Sequence, residues 1–336
     1  LWTSPISKRN SDVAERPAVN ASPLIFLSRA GLLDLLQLLS TEVVVLEAVT
    51  SEIGRRGAND LFPLLLRSTA KHKDLFNAHE AQADDNALRS NLSEAALQYL
   101  ASISALDEYE SLFFHIVAVL HAPAYRTENA GALRQNFPRI PLPATREQLE
   151  ESAALGRQIA ALLDTETAVP GVTGGAIRPE LRHIAVIRRA DGTTGALNPQ
   201  AGDLELRAGW GHKGKAGVVM PGKGRTRTRD YTEVERTAMQ DALAALGGET
   251  HDIFLNDTAC WTNVPARVWD YTIGGYQVIK KWLSYREQEI LGRSLTPDEA
   301  REVTQTARRI AAILLLETEL DTNYERSKAA CYGWGD

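Results

Sequence analysis

The stretch Tyr271-Thr-Ile-Gly-Gly-Tyr-Gln-Val-Ile-Lys-Lys-Trp282 carries a turn and the first part of a helix. Gly274 and Gly275 predict a tight bend, because glycine adopts positive φ angles without steric strain. Val278 and Trp282 follow at helical spacing, so we expect both to pack inward. The stretch therefore predicts a bend that leads directly into a helix with one buried face, and the two lysines of this helix are expected to face outward.

Short strands precede this stretch, and helices lie on both sides of them. We predict strands over residues 183–187, 205–207, 218–220 and 253–255, with a helix over 233–246 between the last two. Residues 91–137 are predicted to be helical. Thr145 with Gln148, and Thr296 with Glu299, form capping-box patterns that begin two long helices. The sequence therefore predicts an α+β fold, in which a mixed sheet region of short strands is flanked by helical layers.

The overall composition is that of an ordinary globular protein with a formal net charge of −6. A globally basic nucleic-acid-binding protein is therefore excluded. The two cysteines, Cys260 and Cys331, lie far apart and match no metal-ligand spacing, which favours a reducing compartment. No apolar run has the length of a transmembrane helix. We expect a cytoplasmic protein that is not embedded in a membrane.

One segment departs from this acidic average. Residues 206–229 contain no acidic side chain and seven basic ones, Arg207, Lys213, Lys215, Lys223, Arg225, Arg227 and Arg229. The glycines of this basic segment would let the backbone approach a ligand closely. A strand over 225–229 would place three guanidinium groups on one face, which suits phosphates or guanine edges in the major groove.

The basic segment is therefore a candidate DNA-binding surface, together with Lys280 and Lys281 of the stretch 271–282. The alternative is a solvated basic hairpin that is balanced by acidic patches elsewhere in the chain. The residues alone leave both interpretations open.

Motifs for cofactor binding and catalysis are incomplete. Residues 209–214 spell GxGxxG without a following helix, and residues 217–224 end in glycine where a phosphate-binding loop has Ser or Thr. Residues 198–200 lack the second proline and the aromatic residue of an adenine-methylase box. His115 and His121 are not at metal-ligand spacing and are expected in or near the core. We therefore expect no catalytic centre in this chain.

Four runs near the N-terminus form a βαβα pattern. They are Val19-Asn-Ala-Ser-Pro-Leu-Ile25, Leu32-Leu-Asp-Leu-Leu36, Glu42-Val-Val-Val45 and Ala48-Val-Thr-Ser-Glu52. The pattern resembles the first part of a PIN-like toxin nuclease, which implies Glu52 as the one metal-ligand candidate, while Asn20 replaces the family's first carboxylate. Metal-dependent cleavage needs several converging carboxylates. The resemblance therefore implies a truncated, inactive segment that is joined near Asp60 to an unrelated region.

Six further runs share one order along the chain. They are Leu112-Phe-Phe-His-Ile-Val-Ala-Val-Leu-His121, Pro123-Ala-Tyr-Arg126, Phe137-Pro-Arg-Ile-Pro-Leu-Pro143, Leu155-Gly-Arg157, Val264-Pro-Ala-Arg-Val-Trp269 and the stretch 271–282. Over residues 61–324 the chain resembles the C-terminal specificity region of type ISP restriction-modification enzymes. Those enzymes combine nuclease, translocase, adenine methyltransferase and target recognition in one polypeptide.

This resemblance implies sequence-specific binding of double-stranded DNA. The methyltransferase and translocase portions of the parent enzyme would be the partners, and S-adenosylmethionine would be a cofactor of the parent and not of this chain. Two alternatives stay open: a PIN-type metal-dependent ribonuclease with a large extension, and a docking module that does not bind DNA.

The predicted domain organisation follows from the two resemblances. It comprises a disordered lead (1–16), a truncated PIN-like segment (17–60), a linker (61–90), a helical scaffold (91–165), a target-recognition region that ends in a helical segment (166–326), and a tail (327–336).

Overall fold

The computed structural model describes residues 92–135, 138–214 and 217–333, together with the backbone of four short strands that precede them. Strand β1 (Ala18–Val19) pairs in parallel with β2 (Val44–Val45), and β3 (Leu65–Arg67) pairs antiparallel with β4 (Leu88–Ser90). The predicted lead and most of the predicted PIN-like segment and linker lie outside the described residues, and Glu52 lies there too.

Six helices come first in the rest of the described chain, and groups of short strands and further helices follow. The described helices are α1 (Glu94–Ser102), α2 (Tyr109–His121), α3 (Pro123–Glu128), α4 (Ala130–Gln135), α5 (Arg146–Leu163), α6 (Pro179–Arg182), α7 (Glu233–Met239), α8 (Ala242–Leu246), α9 (Ala266–Trp269), α10 (Val278–Arg286), α11 (Gln288–Leu291), α12 (Pro297–Leu315) and α13 (Glu317–Ala329). The described strands are β5 (Val186–Arg189), β6 (Gly211–Lys213), β7 (Val219–Pro221), β8 (Thr226–Arg229), β9 (Thr250–Phe254), β10 (Ala259–Pro265), β11 (Thr272–Ile273) and β12 (Tyr276–Gln277).

The chain divides into two compact units, Leu1–Glu110 and Ser111–Asp336. In the first unit, the side chain of Ser93 caps α1 by accepting a hydrogen bond from the backbone N–H of Ala96 at 3.3 Å. The division falls inside the segment that we predicted as a helical scaffold. The predicted domain boundaries therefore stay predictions.

The second unit is organised around a four-stranded antiparallel sheet in the order β5-β10-β9-β8. The central strand β10 is buried along almost its whole length, and a register shift between Trp261 and Val264 interrupts its pairing with β9. Asn263 lies in this irregularity with a φ angle of 58°. Strand β8 lies at one edge of the sheet, where most of its side chains are exposed.

Helix α12 covers the sheet and is itself packed against α5. The buried indole N–H of Trp261 donates to the carbonyl oxygen of Ala300 at 3.0 Å, and the hydroxyl of Thr304 donates to the carbonyl oxygen of Ala185 at 2.6 Å. On its other side, the guanidinium of Arg309 donates to the carbonyl oxygen of Ala161 at 3.0 Å. The predicted α+β fold with helical layers around short strands is confirmed.

Most predicted helix starts agree with the structure because their signals are local. The side chains of Thr145 and Thr296 cap α5 and α12, and Thr296 forms a full capping box with Glu299. Gly274 and Gly275 form the turn between β11 and β12 with φ angles of 59° and 83°. Among the described residues, no helix combines the length and apolar character that a membrane crossing needs.

Two predicted elements need correction, and one strand was not predicted. Residues 205–207 are not a strand, and the helix predicted over 233–246 is two short helices, because Gln240 has a positive φ angle of 32° that breaks the helical path. The central strand β10 is absent from the strands that the sequence predicts.

A buried polar chain joins helices α2, α5 and α13. The Nε2 atom of His115 lies 2.9 Å from the carbonyl oxygen of Pro141, so Nε2 carries the proton and Nδ1 accepts from the hydroxyl of Ser152 at 2.7 Å. The amide of Asn323 donates to the same hydroxyl oxygen at 2.9 Å. Burial lowers the pKa of the His115 imidazole to about 4, and the hydrogen bond to Pro141 opposes this only in part.

This depressed pKa predicts acid sensitivity. Because the folded-state pKa lies below the unfolded value of about 6.5, the unfolded state binds more protons between these two values. The stability from neutral His115 is complete above about pH 6.5 and is lost as the pH falls towards about 4. In urea unfolding, we expect a loss of about 1 kcal/mol between about pH 7.5 and about pH 5.5 from this group.

His115→Gln is the matched variant for this prediction, because glutamine can hydrogen-bond but does not titrate. It should be less stable than the wild type and should lose that part of the pH dependence. An unchanged pH dependence in His115→Gln would contradict the assignment to His115.

Candidate nucleic-acid interface

The basic segment folds as a hairpin followed by an edge strand. Strands β6 and β7 pair antiparallel with His212 opposite Met220, and β8 pairs with β9 with Arg227 opposite Asp252. The strand expected within residues 225–229 is therefore confirmed. The GxGxxG pattern at residues 209–214 contains β6, and the loop pattern at residues 217–224 is followed by β8. In the described residues, neither pattern therefore precedes the helix that nucleotide binding needs. Lys215 lies outside the described residues.

The glycines of the basic segment pack against the protein itself. A Cβ atom at Gly211 would lie 2.0 Å from the carbonyl oxygen of Ser284 in α10, and one at Gly224 would lie 2.0 Å from the ring of Trp210. A Cβ atom at Gly222 would lie 2.1 Å from a backbone carbonyl oxygen of the same segment. Our expectation that these glycines admit a ligand is wrong at these three positions, because internal contacts use the space.

A buried carboxylate fixes the start of the hairpin. Glu287, between α10 and α11, accepts hydrogen bonds from the backbone N–H groups of Gly209 at 3.0 Å and Trp210 at 2.8 Å. Burial raises the pKa of the Glu287 carboxyl, and hydrogen bonds from the backbone of Trp210, Gly209 and Gly211 oppose that rise. Sequence reasoning missed Glu287, because no local pattern marks a glutamate that binds backbone so far upstream.

The three arginines at 225–229 share one face of the sheet edge. The guanidinium groups of Arg225 and Arg227 lie 4.4 and 5.7 Å from the ring centroid of Phe254 in β9. Arg227 and Arg229 both donate to the carboxylate of Asp252, also in β9. The predicted placement on one face is therefore confirmed by their shared partners.

Arg229 is held between two largely buried carboxylates. Its Nε atom lies 3.1 Å from both carboxylate oxygens of Asp252, and Nη1 and Nη2 donate to the two oxygens of Glu235 at 2.7 and 2.8 Å. Burial alone would raise the pKa of the Asp252 carboxyl, but hydrogen bonds from Arg229 and Arg227 outweigh burial and lower this pKa. Arg229 is therefore held by the fold, and its place on the candidate DNA-binding surface stays a prediction.

The local charges of the three arginines are balanced. Nη1 of Arg225 lies 2.5 Å from a carboxylate oxygen of Asp257, so Asp252, Glu235 and Asp257 face three guanidinium groups. Three positive and three negative charges give a sum of zero. At these three arginines the charge is therefore balanced by acidic residues from elsewhere in the chain, as in the alternative interpretation of the basic segment, because the sheet and α7 bring in carboxylates from outside it.

The remaining cations of the basic segment are more accessible. Lys213 and Lys223 are exposed, and neither has an ion-pair partner within the described part of the chain. Arg207 is 60% exposed, and its Nη2 atom lies 2.8 Å from a carboxylate oxygen of Glu205. Its Nε atom donates to the side-chain oxygen of Gln288.

The two lysines of α10 are half-buried. The ammonium group of Lys281 lies 4.6 Å from the ring centroid of Tyr276 and 4.7 Å from that of Tyr285. Both rings are about half exposed. Lys281 therefore makes cation–π contacts and does not extend into solvent as we expected. Lys280 has no ion-pair partner among the residues that the structure describes.

A metal site gains no support from the described residues. Among them, no group of three or more His, Cys, Asp or Glu side chains could hold a metal ion. The PIN-like resemblance stays a prediction.

The chain matches the sequence model of the Type ISP C-terminal specificity domain over residues 20–312. It therefore belongs to this family. The match crosses the junction that we placed near Asp60 and includes most of the segment predicted as PIN-like.

Several solved structures are similar to this chain. One is the cryo-EM structure of a DrdV–DNA complex, with 20% identity, a TM-score of 0.40, and coverage of 71% of this chain and 20% of that chain. A second is the ATP-dependent Type ISP restriction-modification enzyme LlaBIII bound to DNA, with 15% identity, a TM-score of 0.41, and coverage of 78% and 13%. A third is a nuclease-deletion mutant of the Type ISP enzyme LlaGI in complex with a DNA substrate mimic, with 15% identity, a TM-score of 0.35, and coverage of 72% and 17%.

This chain thus corresponds to 20% or less of the length of each of these proteins. Among curated proteins, no sequence matches it.

The two arginines that flank Arg227 are expected to differ in their contribution to stability. Arg229→Ala leaves the carboxylates of Asp252 and Glu235 without their main partner, so it should cost about 2 to 4 kcal/mol of unfolding free energy. Arg225→Ala removes a more exposed pair and should cost about 1 kcal/mol or less. Urea unfolding of both variants at neutral pH measures the difference. Equal losses would contradict the structural role of Arg229.

The internal contact of Gly211 provides a second comparison. Gly211→Ala places a methyl group against the Ser284 carbonyl, so it should destabilise the protein by about 1 to 3 kcal/mol. Gly248→Ala is the control, because a Cβ atom there meets no atom within 4 Å, and it should change stability by about 0.5 kcal/mol or less. Chemical denaturation measures both. A Gly211→Ala variant as stable as the Gly248→Ala control would contradict the packing of the hairpin on α10.

Proposed function

We propose that this chain recognises the DNA target of a Type ISP restriction-modification enzyme. Its membership of the specificity-domain family supports this assignment. The observation that carries it is the exposure of Lys213, Lys223, Arg207 and Arg227 on one continuous segment of a chain with a net charge of −6.

In this proposal, lysine and arginine side chains have different roles in DNA binding. Phosphate contacts position a protein on duplex DNA, whereas base contacts specify the sequence. Since carboxylates neutralise Arg225 and Arg229, attraction to phosphates rests mainly on Lys213 and Lys223. The two-stranded antiparallel sheet of β6 and β7, which carries Lys213, is an element of the kind that the major groove admits.

The other activities of such an enzyme would belong to the rest of the parent protein. In this proposal, methyl transfer from S-adenosylmethionine and translocation occur in the methyltransferase and translocase portions, which are the protein partners of this chain in the cytoplasm. Binding of this chain would select the sequence on which they act.

The salt dependence of DNA binding tests the proposal. Each lysine that neutralises a phosphate contributes about 0.9 to the slope of log affinity against log salt. The double variant Lys213→Gln/Lys223→Gln should therefore reduce that slope by about 1.8 between about 50 and 200 mM salt. Fluorescence anisotropy of the full chain with a labelled random-sequence duplex measures it.

The control removes the same amount of charge outside the basic segment. Arg134→Gln/Arg301→Gln changes two exposed cations of α4 and α12 and should leave the slope unchanged. Equal slopes for the lysine variant and the wild type would remove the lysines from the interface. Absence of DNA binding by a folded wild type would favour the docking-module alternative.

A further inference from the structure

Arg227 presents an open hydrogen-bonding edge. Arginine has five N–H donors, which form a side edge at Nε and Nη2 and an end edge at Nη1 and Nη2. In Arg227 the side edge is occupied, because Nε and Nη2 donate to one oxygen of Asp252 at 3.2 and 2.7 Å. The two N–H groups of Nη1 and one of Nη2 have no acceptor in the described residues, and the side chain is 57% exposed.

Arg229, two residues further along the same strand, also contacts Asp252 through Nε, but its end edge is filled. Its Nε atom donates to Asp252, and its Nη1 and Nη2 atoms donate in parallel to the two oxygens of Glu235. The N7 and O6 atoms of guanine present two acceptors side by side, as a carboxylate does. At Arg227, a guanine edge would therefore occupy the place that Glu235 occupies at Arg229.

The carboxylate of Asp252 holds Arg227 in one orientation. Its side chain is only 1% exposed, so its hydrogen bonds to the guanidinium are shielded from water and are strong. Because Arg227 is already held in one orientation, it loses little side-chain entropy when it binds a base. The backbone N–H of Asn263 also donates to Asp252, at 3.2 Å, which anchors the carboxylate to β10.

The other arginines of the basic segment are less suited to this role. The end edge of Arg225 is filled, because Nη1 and Nη2 donate to Asp257 and to the carbonyl oxygen of Asn256. Arg207 has an open end edge, but its partner Glu205 is 24% exposed, so water competes for the contacts that would fix it.

Charge compensation favours a base over a phosphate as the ligand of Arg227. The charges of Arg227, Arg229, Asp252 and Glu235 sum to zero, so the general attraction to phosphates is weak at this point. The directional N–H donors remain, and a neutral guanine edge can accept them without a net local charge.

We infer that Arg227 reads a guanine of the target sequence in the major groove through its Nη1 and Nη2 atoms, and that Asp252 is the positioning residue for it. This inference rests on the proposed function. It adds the base class that is read and the residue pair that reads it.

The experiment measures the binding of protein variants to duplexes in which one guanine is replaced by an analogue. The full chain first selects duplexes from a randomised pool, and each guanine of the enriched site is then replaced by 7-deazaguanine, which lacks the N7 acceptor. At one guanine, the wild type should lose affinity about 5-fold or more. In Arg227→Ala the same replacement should have no effect, whereas Arg207→Ala should keep the wild-type penalty.

Two further variants distinguish the effect of the charge of Arg227 from the effects of its parallel N–H donors and of its orientation by Asp252. Arg227→Lys keeps the charge and loses the parallel fork, so the guanine preference should fall about 5- to 150-fold while the salt slope stays unchanged. Asp252→Asn should lower the guanine preference, and it should leave binding to random duplex unchanged or tighter because a negative charge is removed. If Asp252→Asn fails to fold, the Arg227 variants still test whether Arg227 reads a guanine.

The failures of the two proposals are distinguishable. If selection enriches no sequence, the proposed function fails. If an enriched site contains no guanine, or if Arg227→Ala keeps the full 7-deazaguanine penalty at every position, the proposed function survives and the role of Arg227 is refuted.

Discussion

The carboxylate of Asp252 is the constraint on which the edge of the sheet depends. A charged group that is 1% exposed needs hydrogen-bonding partners, and Asp252 obtains them from Arg227 and Arg229 in β8 and from the backbone of Asn263 in β10. Three strands are therefore joined at one side chain. Arg229 extends the connection to Glu235 of α7. Because most side chains of β8 are exposed, charge pairing rather than apolar burial fixes the face that this strand presents.

A second buried carboxylate has a related role at the hairpin. Glu287 binds the backbone N–H groups of Gly209 and Trp210 and so holds the entry to β6, while Gly211 and Gly224 permit contacts with α10 and the Trp210 ring. The hairpin and the edge strand are thus each anchored from inside by a buried carboxyl group. Three buried carboxylates of this acidic chain, those of Asp252, Glu235 and Glu287, thus contact the basic segment from the protein interior.

The sequence predicts features whose causes are local and misses those whose causes are distant. The caps at Thr145 and Thr296 and the bend at Gly274 are encoded within a few residues, and all three agree with the structure. Strand β10 escapes prediction because nearly every residue is buried and Asn263 interrupts its pattern, so no alternation marks it. The carboxylate partners of the arginines come from other strands and helices. A basic run without local acids therefore looks uncompensated in the sequence.

An edge strand is a hazard for a sheet, because its unpaired backbone groups can join another chain. In the described sheet, β8 pairs only with β9, and its exposed side chains are threonine and arginine, which discourage such pairing. Within this strand, Thr228 bonds to His251 at 3.0 Å, and Arg227 extends from the face that Asp252 organises. Residues that discourage pairing at this edge therefore also include Arg227, which keeps exposed N–H donors.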